Sequence, residues 1–400
     1  MWEQIRSNQT RSVLLVVWMG VLLLLLGYFL GLYFLGDGIL GLILAAILWI
    51  IMSLVGYFQG DSILLASSRA RKIDPNDHPR LYNVIEEMKI ASGLEKMPAV
   101  YIVDDPAMNA FATGRDPKKA SVAVTSGLLQ KLNRDELQGV VGHEMAHVRN
   151  RDVLLMAMCA VLLGTIVMLA WYGSRFMIFG GMGRTRRSSS SGGSAGTIII
   201  VIVAIVLMIL APIFAQLIYF ALSRRREYLA DASSALYTRY PEGLASALEK
   251  ISGSTEQLKS ANKATAPMYI INPFRKQGMS AEDLTSTHPP ISQRIRILRG
   301  MAGASYKDYS TAYQQVLHTD KAFIPAAEAA AVGSVALRAA QPEPTQKLEE
   351  VQRIRETTNA LWNAHNYKVI QCPCGTKMRL PPSYKQPEIK CPHCGRMNPV

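Results

Sequence analysis

Two stretches without a charged residue, Val13 to Leu35 and Gly38 to Phe58, constrain this chain more than anything else in it. Each matches the roughly 20 apolar residues a helix needs to cross a bilayer's hydrocarbon core. Only Gly36 and Asp37 separate them, so a tightly turned transmembrane hairpin is predicted over residues 1–69. A cleaved secretory leader is the competing reading of the first stretch. Its apolar core would be shorter, about 7–15 residues, and here a second span follows at once. With 49% hydrophobic and 18% charged residues, the chain is too apolar for an ordinary soluble enzyme.

Two further apolar runs, Val153 to Tyr172 and Thr197 to Ser223, make a second membrane segment over residues 153–222. A Gly- and Ser-rich connector, Gly180 to Gly196, joins them. Pro212 and Gln216 need partners inside lipid, and whether these two runs cross the bilayer is left open. Arg6 and Arg11 before the first span, with Arg69, Arg71 and Lys72 after the second, place both flanks on the cytosolic side. Arg175, Arg184, Arg186 and Arg187 oppose this: either the later runs are re-entrant or interfacial, or the first hairpin overrides them.

The net charge of +13 suits an anionic membrane surface and nucleic acid equally. Four of the five cysteines fall in the last 29 residues, which excludes a dispersed disulfide framework. Cys159, in an apolar run, reads as inert.

Residues 70–152 alternate helix and strand signals. After Pro79, Leu81, Val84, Ile85 and Met88 recur at helical spacing. Pro98 to Val103 alternates like a strand. Asn109 to Gly114 and Ala120 to Thr125 flank a polar loop and predict a hairpin. Asn133 and Glu136 form a capping-box pattern ahead of a helix with Leu137, Val140, Val141 and Val148 on its apolar face. That helix is expected to continue into the third apolar run. Residues 223–320 are polar and helical, 321–345 are a linker, and 346–400 carry a short charged helix and the cysteines.

On the capped helix, His143-Glu144-Met145-Ala146-His147 sets two imidazoles four positions apart, on one face and able to share a zinc ion. Glu144 stands where a carboxylate can take a proton from the attacking water, the arrangement of a metallopeptidase. A satisfied structural histidine pair is the bland alternative. A hydrolytic zinc takes three protein ligands, and Glu227 is the candidate third, with Asp231 one turn further on the same face. The alternative for Glu227 is a surface ion pair with Arg224, Arg225 or Arg226.

Gly142 to His147, followed by Glu227-Tyr228-Leu229-Ala230-Asp231, resembles the HtpX and CAAX prenyl protease family of membrane zinc metallopeptidases. Asn109-Ala110-Phe111-Ala112-Thr113-Gly114 and Ser286-Thr287-His288-Pro289-Pro290 with Arg294 are similar to two further motifs of that family, and the likeness covers about the first 320 residues. The resemblance implies that Glu227 is the third ligand and that Asp231 orients a histidine from behind. It also implies that His288 and Arg294 contact the oxyanion formed at the scissile carbonyl; a Pro-Pro turn before a basic helix is the other reading. Asn109, Ala110, Phe111 and Ala112 are expected to be an exposed edge strand that pairs with an extended substrate, or else an ordinary hairpin strand.

Cys372-Pro373-Cys374 and Cys391-Pro392-His393-Cys394 offer four thiolates at nearly the spacing of a structural zinc site, with free thiols or a redox pair as the alternative. The expected fold is a mainly α membrane protein with a zincin-like (gluzincin) catalytic domain, a small β-hairpin or sheet, and a C-terminal zinc ribbon. The expected function is a zinc endopeptidase of misfolded or membrane proteins, multi-pass in the bacterial inner membrane with its catalytic domain cytosolic. One catalytic and one structural zinc are expected. Partners are a protein or peptide substrate, lipid, and a protein recognised by the cysteine module; nucleic acid is not the expected partner. A membrane-anchored zinc-binding adaptor without activity is the rival.

Overall fold

The computed structural model describes residues 2–180, 194–256, 258, 289–320, 322, 333–340 and 346–400. Helices α1 (Trp2–Phe34) and α2 (Gly38–Ser67) form the predicted hairpin. Asp37 caps α2, its Oδ1 accepting from the amides of Ile39 at 2.8 Å and Leu40 at 3.2 Å. The two helices touch backbone to backbone: a Cβ on Gly27 would lie 2.2 Å from that of Ala45, the close approach by which membrane helices associate. Ile39, Ile43, Ile47, Ile50, Leu54 and Phe58 are exposed along α2, an apolar surface that only lipid satisfies.

Among the described residues, three helical stretches are long and apolar enough to cross a membrane: Val16–Phe34, Gly38–Ser67 and Asp152–Arg175. The third begins α6 (Asp152–Gly180). The fourth apolar run lies in α7 (Ser194–Thr238), a single helix that holds Pro212 and carries on past the run into the globular part.

A four-stranded sheet in the order β1-β2-β4-β3 follows the hairpin, with β1 at Arg71–Lys72, β2 at Ala99–Val103, β3 at Ala110–Thr113 and β4 at Ser121–Thr125. The β3–β4 hairpin is as predicted. The parallel pairing of β2 with β4 (Ala99 opposite Ser121, Val103 opposite Thr125) is a long-range contact that alternation does not reveal. The amide of Thr125 donates to the Asn109 carbonyl at 3.0 Å. By the alternation of an antiparallel ladder, Ala110 and Ala112 then turn their own amide and carbonyl groups away from the sheet.

Helix α3 (Pro79–Ser92) buries Leu81, Val84, Ile85 and Met88, the four residues at helical spacing. After α4 (Ser126–Lys131) comes α5 (Arg134–Arg149), with its capping box formed as expected. Glu136 also receives Ser246 Oγ at 2.7 Å and Lys250 Nζ at 2.8 Å from α8 (Pro241–Gly253). Gly139 lets α8 close on α5, since a Cβ there would sit 2.5 Å from the Leu244 nitrogen. Helices α9 (Ile291–Arg299) and α10 (Tyr306–Leu317) complete this core.

Three expectations change. The zinc helix does not run on into the third apolar run: α5 ends at Arg149, Asn150 caps it, and Arg151 takes a left-handed φ of 59° before α6 starts. Residues 333–340, read as linker, are pinned to the catalytic core. Arg338 donates to Asp135 at 2.6 Å, Gln138 at 2.8 Å and the Thr238 carbonyl at 2.9 Å. The charged helix, α11 (Gln346–Ala364), is part of the same body, with Thr357 and Ala360 fully buried against it.

The α11 contact carries a pH dependence. His78 caps α3 by accepting the Leu81 amide at 3.2 Å on Nδ1, and its Nε2 lies 3.4 Å from Thr357 Oγ1. Burial, aided by Arg80, lowers its pKa from 6.5 to about 4. The unfolded chain therefore takes up this proton at a higher pH than the folded one, and stability declines as pH falls from 6.5 towards 4. About 2 kcal/mol should be lost between roughly pH 7 and pH 5. Thermal unfolding at the two pH values checks this, and His78→Asn, which keeps a cap without the titrating ring, should blunt the difference.

The C-terminal residues form two small hairpins, β5 (Lys368–Gln371) with β6 (Lys377–Leu380), and β7 (Glu388–Lys390) with β8 (Met397–Pro399).

Candidate metal centre

Helices α5 and α7 bring together His143, His147 and Glu227. One ligand atom from each lies within 4.8 Å of the others, and all three residues are buried. The two Nε2 atoms are 3.3 Å apart. Glu227 reaches His143 Nε2 at 3.6 Å through Oε2 and His147 Nε2 at 3.4 Å through Oε1. Of the two readings of Glu227, the surface ion pair is excluded by its 2% exposure.

Behind each imidazole stands a carboxylate. Asp231 Oδ1 is 2.9 Å from His143 Nδ1, and Asp152 Oδ2 is 3.3 Å from His147 Nδ1. Each accepts a hydrogen bond from Nδ1–H, which fixes the tautomer and leaves the Nε2 lone pair facing the site. Asp231 was legible one turn beyond Glu227. Asp152 was not: five positions after His147 in an unbroken helix it would point about 140° away. The break at Arg151 turns it back. Arg226 Nε, 3.6 Å from Asp152 Oδ1, steadies it, and both side chains are buried. Replacing Asp152 with Asn should weaken zinc binding about 10- to 100-fold, read by competition with a chelating dye, while leaving the fold intact.

Arg294 is placed differently from expectation. It is fully buried, with Nε 2.8 Å from Asp231 Oδ2, Nη2 2.7 Å from Asp231 Oδ1 and Nη1 3.3 Å from Glu227 Oε2. Its donors face Asp231, which stands behind His143, and Glu227, so it clamps these two carboxylates. Burial alone would raise the pKa of Asp231, but the guanidinium beside it overcomes this and holds the carboxyl below its usual range. His288 lies outside the described residues.

Glu144 is buried beside the cluster at 3% exposure. Desolvation raises its pKa, and the Ala112 backbone amide, turned outward from β3, donates to its carboxylate. Ala110, Phe111 and Ala112 lie in the edge strand β3 with Asn109 just before it, but the strand is not exposed: all four are at most 4% exposed. Phe111 packs with Leu65, Val103, Ala107, Ala123 and Leu258.

A divalent cation fits this donor set. Glu144, Glu227, Asp231 and Asp152 are four buried carboxylates against two buried guanidinium groups, Arg226 and Arg294. With both imidazoles neutral, as ligands must be, two formal negative charges remain in this buried site, and a 2+ ion between Nε2, Nε2 and a carboxylate oxygen offsets them. Cys372, Cys374, Cys391 and Cys394 likewise converge within 4.8 Å. Cys372 Sγ is 3.5 Å from Cys394 Sγ, and Cys374 Sγ is 3.7 Å from Cys391 Sγ. The turns after the two cysteine pairs use Gly375 at φ 87° and Gly395 at φ 75°.

Residues 75–302 match the model of peptidase family M48. The Protease HtpX homolog of Caldanaerobacter subterraneus subsp. tengcongensis is 44% identical over 301 residues, covering 75% of this chain and 98% of that protein. That of Dictyoglomus thermophilum is 44% identical over 307 residues, covering 76% and 96%. That of Lactobacillus helveticus is 40% identical over 301 residues, covering 75% and 100%. Among solved structures, S. mikatae Ste24p aligns with a TM-score of 0.40 and 18% identity, over 74% of this chain and 67% of that one. With a family model over more than half its length and near-complete relatives above 40% identity, the chain belongs to peptidase family M48, as an HtpX-like membrane metalloprotease.

Proposed function

We propose that this protein is a gluzincin-type zinc endopeptidase that cuts misfolded or membrane proteins at the cytosolic face of the bacterial inner membrane. The observation that carries the reading is the convergence of His143, His147 and Glu227 from two helices, with Glu144 beside them. A zinc ion held by those three residues supplies Lewis-acid polarisation of the scissile carbonyl and acidifies the attacking water.

Glu144 is the base in this reading. Its raised pKa suits a group that takes a proton from water and returns it to the leaving amine. Asp231 and Asp152 hold the imidazoles in the donating tautomer, and Arg294 keeps Asp231 ionised and Glu227 in place. An extended substrate pairs with the outward-turned amide and carbonyl of Ala110 and the carbonyl of Ala112, next to Glu144, once the elements that cover this strand move aside. Main-chain pairing of this kind reads little of the substrate's sequence, which suits a protease of misfolded chains. The four C-terminal cysteines hold a second, structural zinc with no position open for catalysis.

Sidedness is tested with membrane vesicles of both orientations and a disordered fluorescent protein added outside. Cleavage in inverted vesicles alone is the expected result; cleavage confined to right-side-out vesicles would reverse the topology.

A further inference from the structure

We propose that the C-terminal cysteine module is a membrane-surface element that docks its basic faces on anionic lipid headgroups. The inference does not depend on which side of the membrane the module occupies.

Placement comes first. Arg71 Nη1 donates to the carbonyl of Ala364, the last residue of α11, at 2.8 Å. Arg71 stands four positions beyond Ser67, where membrane helix α2 ends. The last turn of α11 is held there again by Asn363 Nδ2, which donates to Asp77 Oδ1 at 2.8 Å. The module starts at Lys368, directly after this point, and Arg379 stacks on Trp362 of α11 at 3.5 Å. The module is therefore fastened to the last turn of α11, which is held just past the end of α2, and α2 ends nine residues, about 14 Å of helix, beyond Phe58, the last residue of its apolar span.

Charge comes second. Residues 365–400 contain six basic side chains and one acidic one, Glu388. A tetrathiolate zinc site carries two negative charges, which still leaves an excess of three positive ones. Lys368, Lys377, Lys385, Lys390 and Arg396 are all exposed, and among the described residues none of the five is in an ion pair.

The faces come third. Residues directly opposite in a hairpin share a face. Ile370 and Met378 face the buried cysteines, so Val369 and Lys377 lie on the opposite face, which they share with Arg379 and its stack on α11; in the second hairpin Ile389 and Asn398 look inward, and Lys390 and Met397 outward. Val369 is 51% and Met397 52% exposed. Lysines interleaved with exposed aliphatic side chains suit a headgroup surface, where the cation meets phosphate and the methyl groups reach the glycerol region. Nucleic acid would satisfy the charge alone, and it offers no reason for the position beside α2.

The test uses the full chain in lipid nanodiscs, with a fluorophore joined at Val400 and a nitroxide on the lipid headgroups. Quenching should be at least about threefold stronger in phosphatidylglycerol than in phosphatidylcholine discs. It should fall to the phosphatidylcholine level at about 0.5 M salt, where the Debye length is about 4 Å. The Lys377→Glu, Lys390→Glu, Arg396→Glu protein should behave like the high-salt sample while keeping its cysteine-bound zinc. Should that variant lose the zinc, the salt and lipid comparisons on the unaltered protein decide. Equal quenching in both lipids, or no quenching in either, overturns the proposal. So does tight binding of a single-stranded RNA oligonucleotide that leaves the fluorophore remote from the headgroups.

Discussion

A Glu144→Gln protein is expected to fold, to keep its zinc and to lose about 10²- to 10⁴-fold in peptide hydrolysis. Glutamine matches the carboxylate in shape and retains an oxygen that accepts the Ala112 amide, so the contact between α5 and β3 survives. What disappears is the ability to hold a proton and give it up. Neither imidazole substitutes, because each Nδ1 is committed to a carboxylate and each Nε2 faces the metal position. Rate and zinc content measured on one sample check this. A variant of full activity would place the base elsewhere and remove the main support for the chemistry.

The second large effect is on folding. Asp231→Ala should cost about 3–5 kcal/mol, because it leaves the fully buried Arg294 guanidinium without its bidentate partner. It should also weaken zinc binding, since His143 loses the acceptor on Nδ1. Pairing Asp231→Leu with Arg294→Met removes both charges and should restore most of the stability without restoring zinc affinity. Thermal melting and a zinc titration separate the two outcomes, and a double variant that recovered both would show that Asp231 does nothing for the metal.

Local patterns were readable in advance. The membrane hairpin follows from uninterrupted apolar length, the capped helix from Asn133 and Glu136, and the paired imidazoles from their four-residue spacing. What stayed hidden depends on how distant segments meet. The φ of 59° at Arg151 breaks a pattern that reads as one continuous helix, and only that break brings Asp152 to His147. Arg294 carries the same charge in a cleft as in a clamp, so its place became evident only when α9 was set against α7. The stretch around Arg338 looks like linker by composition, yet its hydrogen bonds go to the start of α5 and the end of α7.

The burial of this site links membrane and chemistry. Asp152 is the first residue of α6, and Glu227 lies where α7 leaves its apolar run. Both helices with apolar runs thus carry, at the edge of the run, a group that holds or orients the metal ligands.

The central claim is that side chains from α5 and α7 grip one metal together. An anomalous difference map recorded at the zinc edge from crystals of the full chain tests it most directly. The account predicts a peak about 2.0–2.2 Å from His143 Nε2, His147 Nε2 and a Glu227 carboxylate oxygen. A peak bound by the histidines with Glu227 turned away, or no peak at this site, would contradict it.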